Sequence, residues 1–445
     1  MKRVIYILIA FLGFSGALIG QESNILNSLD NVPQGYEFNP AKKSPYKWYM
    51  GIPALSSIGI DYTNKNLKYY DFLRVNAYDS LELRKDEFID NLEDGGSIEL
   101  AQSIEILRAG LKIDEHQFTF SLGLKNYQKI SVSKELFDLA LNGNAPFIGK
   151  NVTILDNEID MLSYVEYALG YSTAIDSRWR VGGRVKLLTG LMNVTTKNSY
   201  ARIFTDPEDY GINISTDFLV HASTPFSHII SDDDSGDQTV DLGGMFGNKG
   251  FAVDLGATFQ PMPELELGVT VTDLGFINWS HNVKEIRSMK EDANFLYTGF
   301  ELDDLFEDKK FNEDVLSDLS DSLKNELDIK EYPGESYNTM LRTRFILDGK
   351  YRFDKMNSLS AIWNSAIIGN RFRSSFAVNY NFDYDFVGFA VGNTIANNWL
   401  FNPGAAFYIR GGAFQFYTVV DSFSSMYLTK MRSMSVKFGF NLVFK

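Results

Sequence analysis

The sequence predicts an all-β transmembrane barrel with antiparallel strands, about 14–16 in number. Segments in which apolar and polar residues alternate recur along the chain. The connections between these segments are alternately short and long. Past a basic and apolar leader at the start, no apolar run approaches the ~20 residues that a transmembrane helix needs. Together these observations favour a chain that crosses a membrane with strands.

The segment 433–444 shows the alternation most clearly. One of its faces carries Val436, Phe438, Phe440, Leu442 and Phe444. The other face carries Lys437, Gly439, Asn441 and Val443. A period of two indicates a strand, and its place near the C-terminus resembles the closing strand that the barrel-assembly machinery recognises in outer-membrane proteins. We expect it to pair with the first strand, near 55–63, and with the preceding one, at 413–421.

Two-faced segments show which side of the wall meets lipid. In 341–353 one face carries Phe345, Leu347 and Tyr351. The opposite face carries Arg344, Lys350 and Arg352. A charge at the lipid midplane costs about 2–4 kcal/mol, so the charged face is expected to line the lumen.

The connections give the orientation. Short ones, rich in turn residues, lie at 114–116, 175–178, 206–209, 261–264, 354–357, 382–385 and 410–412. Longer ones lie at 64–103, 127–161, 223–249 and 274–340. Outer-membrane barrels have short periplasmic turns and longer extracellular loops. We therefore place the short connections on the periplasmic side, and we count about sixteen strands, including 178–190, 193–205 and 210–222 as three separate ones.

The N-terminus predicts export. Residues 1–20 have the basic start, short apolar run and small residues of a secretory signal peptide. Asn, Pro and Gly residues make 21–53 irregular, and the barrel is expected to occupy 54–445. An exported chain with 0 Cys favours a Gram-negative envelope. The net charge of −15 argues against nucleic acid as a partner.

Two inserts interrupt the strand pattern. Ser133 precedes apolar residues at helical spacing, and Gly143 follows them, which predicts a capped helix over 133–141. The segment 283–331 has an acidic, amphipathic helical pattern. Both lie in connections assigned to the extracellular side. They are expected to cap the barrel mouth or, alternatively, to fold into the lumen as a flap.

Short motifs carry a resemblance to a known family. They are Asn39-Pro-Ala41, Val271-Thr-Asp-Leu-Gly275 with Ile277-Asn-Trp279, and Asn402-Pro-Gly-Ala with Gly411-Gly-Ala-Phe-Gln-Phe-Tyr417 and Asp421. They resemble an uncharacterised family of outer-membrane proteins related to FadL-like and PorV-like barrels. The resemblance implies about 14 strands and an N-terminal plug in the lumen, formed by the residues before Pro53.

Catalysis has little support in the sequence. Among the four His residues, His221 and His228 flank Ser223 and Ser227, but spacing alone shows neither a positioned base nor an oxyanion donor. The acidic run 232–237 lacks the spacing of an EF-hand calcium loop. We therefore expect no enzyme, no metal and no cofactor.

Basic residues on the predicted lumen faces are the candidate ligand-binding residues. They are Arg180, Arg184, Lys186, Arg342, Arg344, Lys350 and Arg352. Guanidinium groups pair well with carboxylates, so these residues could bind the anionic end of an amphipathic ligand. The alternative is a network of ion pairs with Asp254, Glu264 and Glu266 that holds a plug and neutralises the interior.

Two functions are consistent with these features. The first, which the resemblance to FadL-like barrels implies, is passive transport of a small hydrophobic or amphipathic molecule through a plugged lumen. The second is a PorV-like carrier or scaffold barrel whose loops bind a secretion-system or surface protein. In both cases the expected location is the cell outer membrane, with outer-membrane lipid around the wall. Uptake needs a path or a lateral opening lined by apolar residues, whereas a carrier could be fully occluded.

Overall fold

The computed structural model of the protein describes residues 24–75, 81–92, 95–208, 212–226, 241, 244–288, 293–295, 306–307, 310–311, 328–368, 371–396, 400–423 and 432–445. Within these ranges the chain forms a closed antiparallel barrel of 14 strands. The predicted signal peptide, 1–20, lies outside the described residues. No helix long and apolar enough to span a membrane occurs in the described part of the chain.

The wall strands are numbered in chain order. They are β1 (Trp48–Gly51 and Ser57–Lys65), β2 (Gly96–Ile113), β3 (His116–Val132), β4 (Glu158–Ala174), β5 (Trp179–Thr205), β6 (Asn248–Met262), β7 (Leu265–Trp279), β8 (Arg344–Arg352), β9 (Asn357–Ile368), β10 (Arg371–Tyr384), β11 (Val387–Ile395), β12 (Pro403–Gly411), β13 (Phe414–Phe423) and β14 (Ser433–Phe444). Each strand pairs with the next. β14 closes the barrel on β1, with Leu442 opposite Met50 and Val436 opposite Ile60. The predicted pairing of the last strand with the first is confirmed.

Six short connections lie at one end of the barrel, which we call the short-turn end. They are 114–115, 175–178, 263–264, 353–356, 385–386 and 412–413. Aspartates close two of them: Asp176 Oδ1 accepts hydrogen bonds from the backbone N–H groups of Arg178 and Trp179, both at 2.7 Å, and Asp354 does the same for Met356 and Asn357. Such side-chain bonds stabilise tight turns. We call the opposite end the long-loop end.

The count of about sixteen strands is corrected by β5. Trp179–Thr205 is one strand of 27 residues, so separate strands at 178–190 and 193–205 are wrong. Met192 pairs with Ser163 and Gly190 with Tyr164, which leaves Leu191 as an extra residue in a β-bulge. The bulge reverses the alternation, and in the sequence this imitates a strand boundary.

The predicted wall strand at 210–222 is also corrected. Ile212–Ser223 pairs with the second half of β5, from Thr205 to Asn193, while the first half of β5 pairs with β6. Ile212–Ser223 therefore belongs to an extension of the wall at the long-loop end. Residues 206–209, predicted as a periplasmic turn, begin at that same end, so this assignment is wrong.

The extension also contains strands from the predicted helical insert 283–331. Val283–Ser288 pairs with Ile212–Ser223 on one side and with Ile329–Pro333 on the other. The described parts of the insert are thus strands, and they include Phe306–Glu307 and Lys310–Phe311. Most of the stretch with helical spacing, 312–327, lies outside the described residues.

The described residues also form four α-helices: α1 (Asn24–Ser28), α2 (Tyr69–Phe72), α3 (Lys85–Asn91) and α4 (Lys134–Asn142). Short strands lie at Leu73–Val75, Leu81–Leu83, Asn151–Ile154, Ala293–Phe295 and Tyr337–Met340, and 3-10 helices lie at Ala145–Phe147 and Gly244–Phe246. In α4, the Ser133 hydroxyl accepts a hydrogen bond from the backbone N–H of Leu136 at 3.3 Å, and Gly143 follows the helix with φ 67°. These are the start and stop signals expected from the sequence. The predicted helix at 133–141 is confirmed.

The wall is apolar outside and polar inside. Outward-facing Leu169, Leu187 and Leu255 are 66%, 61% and 59% exposed. Inward-facing Asp254 and Asn379 are 0% exposed. Large exposed apolar residues combined with fully buried polar ones reverse the pattern of soluble proteins. The predicted luminal position of the charged face is confirmed, and the fold is that of a transmembrane barrel.

Residues 24–47, which we call the luminal segment, lie inside the barrel. α1 begins where the backbone N–H of Ile25 donates a hydrogen bond of 2.6 Å to Asp421 Oδ1 of β13. A 3-10 helix follows at Pro33–Glu37. The buried apolar residues of the segment pack on inward-facing residues of the wall, namely Ile346, Ile362, Ala377, Ala390, Ala406, Tyr408, Tyr417 and Val419. The wall itself begins at Trp48, within the predicted irregular stretch 21–53.

Glycines in the wall make room for the luminal segment. A Cβ on Gly256 would lie 2.3 Å from Asn39 Oδ1, and one on Gly182 would lie 2.5 Å from the carbonyl oxygen of Pro40. Asn39 is fully buried, and its Oδ1 accepts a hydrogen bond of 2.9 Å from the backbone N–H of Ala41. The motif Asn39-Pro-Ala41 therefore forms a tight turn held against two glycines.

We predict that Gly256→Ala destabilises the protein by about 1–3 kcal/mol, because the new methyl group overlaps the Asn39 turn. The matched control is Gly411→Ala, since a Cβ at Gly411 meets no atom within 4 Å. The measurement is the urea midpoint of unfolding in detergent, followed by tryptophan fluorescence. Equal midpoints for the two variants would mean that the luminal segment is not packed against Gly256.

Candidate functional site

Asp30 of the luminal segment binds two basic residues of β8. Its Oδ2 accepts a hydrogen bond of 2.6 Å from Lys350 Nζ and one of 3.2 Å from Arg352. Burial alone raises the pKa of Asp30, but the charges of Lys350 and Arg352 outweigh burial and hold this pKa well below its usual range. Arg352 also contacts Glu266 at 3.1 Å. Asp30 is therefore ionised at neutral pH and fastens the segment to one side of the wall.

Glu37 fastens the segment to other parts of the wall. Its carboxylate lies 2.6 Å from Lys125 of β3 and 3.9 Å from Lys437 of β14. Burial raises the pKa of Glu37, but Lys125 and Lys437 outweigh burial and place the pKa well below its usual range. Arg184 of β5 donates a hydrogen bond to the carbonyl oxygen of the same residue. One glutamate thus contacts three separate strands.

A second charged cluster lies within the wall. Asp254 contacts Arg184 at 2.9 Å and Lys186 at 3.1 Å. Lys186 also contacts Asp273 at 2.5 Å and Glu166 at 3.3 Å. Asp254 is fully buried, and a carboxylate in such a position needs cationic partners. This cluster stabilises the charged side of the lumen.

The lumen opens at the short-turn end as a cavity of about 910 Å³. Arg180 lies at its wall, where the guanidinium contacts Glu115 at 3.2 Å and Ser172 at 3.3 Å. Asp30, Lys350 and Arg352 also line this cavity. The luminal segment therefore forms part of its inner boundary.

A smaller cavity of about 90 Å³, which we call the chamber, lies on the other side of the luminal segment. Its apolar side includes Phe38, Tyr127, Leu162, Tyr164 and Leu341. Its charged residues are Lys125, Arg342, Arg344, Lys437, Glu37, Asp61 and Asp273. The chamber thus has an apolar side and a charged side that includes four basic residues.

Arg344 faces the chamber because it lies on the inward face of β8, two residues before buried Ile346, and Arg342 lies where the strand ladder is interrupted. Thr272 pairs with Arg344 and Phe276 with Met340, but the residues between are not paired in this ladder. Asp273 adopts φ 58°, a conformation that is uncommon for a residue other than glycine. Its carboxylate lies 3.3 Å from Arg344.

The guanidinium of Arg342 lies over the ring of Tyr127, on β3. Tyr127 and Leu341 belong to a buried apolar cluster on the long-loop side of the chamber. The other members of the cluster are Leu162, Leu188, Ala252, Ile277 and Trp279. On the long-loop side of this part of the chamber, the lumen is therefore filled with apolar side chains.

The seven predicted ligand-binding residues do not form one site. The structure places Arg342 and Arg344 in the chamber, Arg184 and Lys186 in the wall cluster, Lys350 and Arg352 on Asp30, and Arg180 at the short-turn end. Their role in binding a ligand stays a prediction. Sequence reasoning missed Lys125 and Lys437 as chamber residues. The signal for Lys437 was its position on the polar face of 433–444.

Residues of the sequence motifs hold the luminal segment. Gln415 Nε2 donates a hydrogen bond of 2.7 Å to the carbonyl oxygen of Asn31. Tyr417 packs against the segment, and its hydroxyl donates to Ser57 Oγ at 2.7 Å. Asp421 caps α1, as described above. Residues of these motifs therefore hold the luminal segment against the wall.

The histidine and serine pair considered for catalysis is not assembled for nucleophilic attack. Ser223 Oγ donates its hydrogen bond to the carbonyl oxygen of His281, at 2.8 Å, and His221 Nε2 lies 3.6 Å from Glu285. His228, Ser227 and the acidic run 232–237 lie outside the described residues. Within the described ranges, no group of three or more acidic or histidine side chains is arranged to hold a metal ion.

A closed wall with an apolar exterior and a charged, partly filled lumen defines an integral-membrane β-barrel. Residues 40–421 match the model of a family of unknown function, DUF5723. This match covers most of the chain, which therefore belongs to that family. No curated protein matches the sequence.

Solved structures of similar fold include transport proteins. The toluene transporter TbuX of Ralstonia pickettii is 10% identical, with a TM-score of 0.43 and coverage of 97% of this chain and 96% of that one. A FadL homologue of Pseudomonas aeruginosa is 10% identical, with a TM-score of 0.45 and coverage of 96% and 99%. A mutant of the monoaromatic hydrocarbon channel TodX is 12% identical, with a TM-score of 0.43 and coverage of 91% of each chain. Similarity at this level carries no information about what this chain does.

We predict that stability depends on pH through Asp30 and Glu37. Both have depressed pKa values when folded, so their contribution is complete above the ordinary carboxyl pKa of about 4 and is lost as pH falls toward the folded values. The urea midpoint should stay level from pH 8 to about pH 5 and should fall below about pH 4.

Asp30→Asn should remove part of this dependence and cost about 2 kcal/mol at pH 7, because Lys350 and Arg352 lose a charged partner. The matched control is Asp114→Asn, which removes an exposed carboxylate from the turn 114–115 at the same end. A flat pH profile for the parent protein would contradict the importance of these two carboxylates.

Proposed function

We propose that this protein is an outer-membrane barrel that admits small amphipathic molecules with an anionic end, and that the luminal segment is its plug. The observation that carries the proposal is the chamber, whose lining combines Phe38 and Leu162 with Arg344 and with Arg342, which lies over the Tyr127 ring. The chamber, at about 90 Å³, is smaller than the ~300–1,000 Å³ of typical ligand pockets, so an amphipathic carboxylate could place its charge on the arginines and only the adjoining part of its chain on the apolar side. With the short turns on the periplasmic side, the chamber lies toward the cell exterior.

The two cavities support transport because they lie on opposite sides of the luminal segment. A molecule held in the chamber reaches the 910 Å³ cavity only if the segment moves or if the molecule leaves through the wall. Between 273–275 and 341–343 the ladder is interrupted and a backbone hydrogen bond of 2.9 Å runs from Leu341 N–H to the carbonyl oxygen of Gly275, so few backbone hydrogen bonds would need to break there. This part of the wall is the exit that we favour.

A PorV-like carrier for a secretion-system or surface protein is the second candidate. The observation in its favour is how firmly the luminal segment is held, through Asp30, Glu37 and the apolar packing of α1. A barrel with a fixed plug could act through its loops alone. Co-purification with a secretion apparatus, without fatty-acid binding, would decide for this candidate.

We predict that the purified barrel binds a fluorescent fatty acid more tightly than its methyl ester, since the ester lacks the charge that the arginines recognise. Arg342→Ala should weaken binding of the acid about tenfold, equivalent to the loss of roughly 1.4 kcal/mol. The same substitution should leave binding of the ester nearly unchanged. The measurement is a fluorescence titration in detergent.

The matched control for this prediction is Lys355→Ala, which removes an exposed charge at the short-turn end. Equal affinity for acid and ester would contradict the proposal. Loss of folding in Arg342→Ala, seen as a lower unfolding temperature, would instead assign this arginine to the ion-pair network.

A further inference from the structure

A buried ion pair joins nearly opposite sides of the wall. Arg373 Nη1 of β10 donates hydrogen bonds of 2.8 Å to both carboxylate oxygens of Glu99 of β2. The side chains are 4% and 10% exposed. Strands β2 and β10 are far apart around the 14-strand wall, so the pair spans the lumen.

The pair lies directly on the long-loop side of both the chamber and the luminal segment. On β2, Ala101 is the next inward-facing position after Glu99, and Ala101 lines the chamber. On β10, the next inward-facing position after Arg373 is Ser375, whose hydroxyl accepts a hydrogen bond of 3.2 Å from Asn24 of α1. The buried apolar cluster that contains Trp279 fills the lumen over the part of the chamber lined by Tyr127, Leu162 and Leu341. The chamber is therefore closed on its long-loop side by this apolar cluster together with the ion pair of Glu99 and Arg373.

Glu99 has a second basic neighbour on its own side of the lumen. It lies opposite Lys129 of β3 in the strand ladder, and Lys129 contacts Glu158. Glu99 could thus separate from Arg373 and keep a cation beside it, which avoids leaving a buried carboxylate unpaired. The pair can break at a lower cost than an isolated buried ion pair.

We propose that the pair of Arg373 and Glu99 is a gate over the chamber, opened when the anionic end of an arriving ligand takes the place of Glu99 on Arg373. This inference rests on the proposed function and names how access to the same site is controlled. A carboxylate reproduces the two hydrogen bonds that Arg373 makes with Glu99, whereas a neutral molecule does not. The gate therefore favours anionic ligands before they reach Arg342.

The test uses the absence of Cys from the chain. Ala101→Cys places a single thiol in the chamber, and a charged, membrane-impermeant maleimide added to intact cells reports its accessibility. Labelling should be slow in the Ala101→Cys parent and about tenfold faster or more when Glu99→Gln is added. The charge swap that combines Glu99→Arg with Arg373→Glu should make labelling slow again.

The control is Glu166→Gln, which removes an acidic partner of Lys186 within the wall and should leave labelling unchanged. Folding is checked by the heat-dependent mobility of each barrel on gels, and Arg373→Gln replaces Glu99→Gln if the latter does not fold. Fast labelling of the parent, or no change on breaking the pair in a folded barrel, would overturn the gate. Labelling needs no ligand, so failure of fatty-acid binding alone would contradict only the proposed transport.

Discussion

The charges inside the barrel must be neutralised inside the barrel, and the structure depends on this constraint. Lipid surrounds the wall, so a basic residue that faces inward finds its partner on a neighbouring strand, across the lumen or on the luminal segment. Asp30 supplies the partner for Lys350 and Arg352, and Glu37 supplies the partner for Lys125. The segment is therefore part of the electrostatic balance of the wall as well as an obstruction in the lumen.

This balance divides the lumen along its axis. The segment separates the wide cavity at the short-turn end from the chamber, and the ion pair of Glu99 and Arg373 lies on the far side of the chamber. The chamber, whose lining is partly apolar, thus has ionic contacts on both sides: those of the luminal segment and the ion pair of Glu99 and Arg373. Such contacts can exchange partners with an anion without exposing a charge to an apolar surface.

The sequence predicts the wall better than it predicts the lumen. Period-two alternation is local, so it identified the strands, the luminal face and the closing strand 433–444 from the residues themselves. It failed at β5, where the β-bulge at Leu191 reverses the alternation and imitates a strand boundary. The partners of the basic residues could not be predicted, because Glu99 and Arg373 are separated by 274 positions and meet only when the barrel closes. The sequence around Arg373 does not distinguish this residue from other charged residues that face the lumen.

The most direct test is whether the luminal segment occupies the lumen of the folded protein. Ser28 Oγ donates a hydrogen bond of 2.6 Å to Asn381 Oδ1, and 353 positions separate the two residues in sequence. In the cysteine-free chain, Ser28→Cys combined with Asn381→Cys should form a disulfide under mild oxidation, and the unfolded product should migrate faster on a non-reducing gel. Ala361→Cys with Val378→Cys, on paired positions of β9 and β10, is the matched wall control. A cross-linked wall pair together with an unlinked Ser28 pair would contradict a luminal position for the segment.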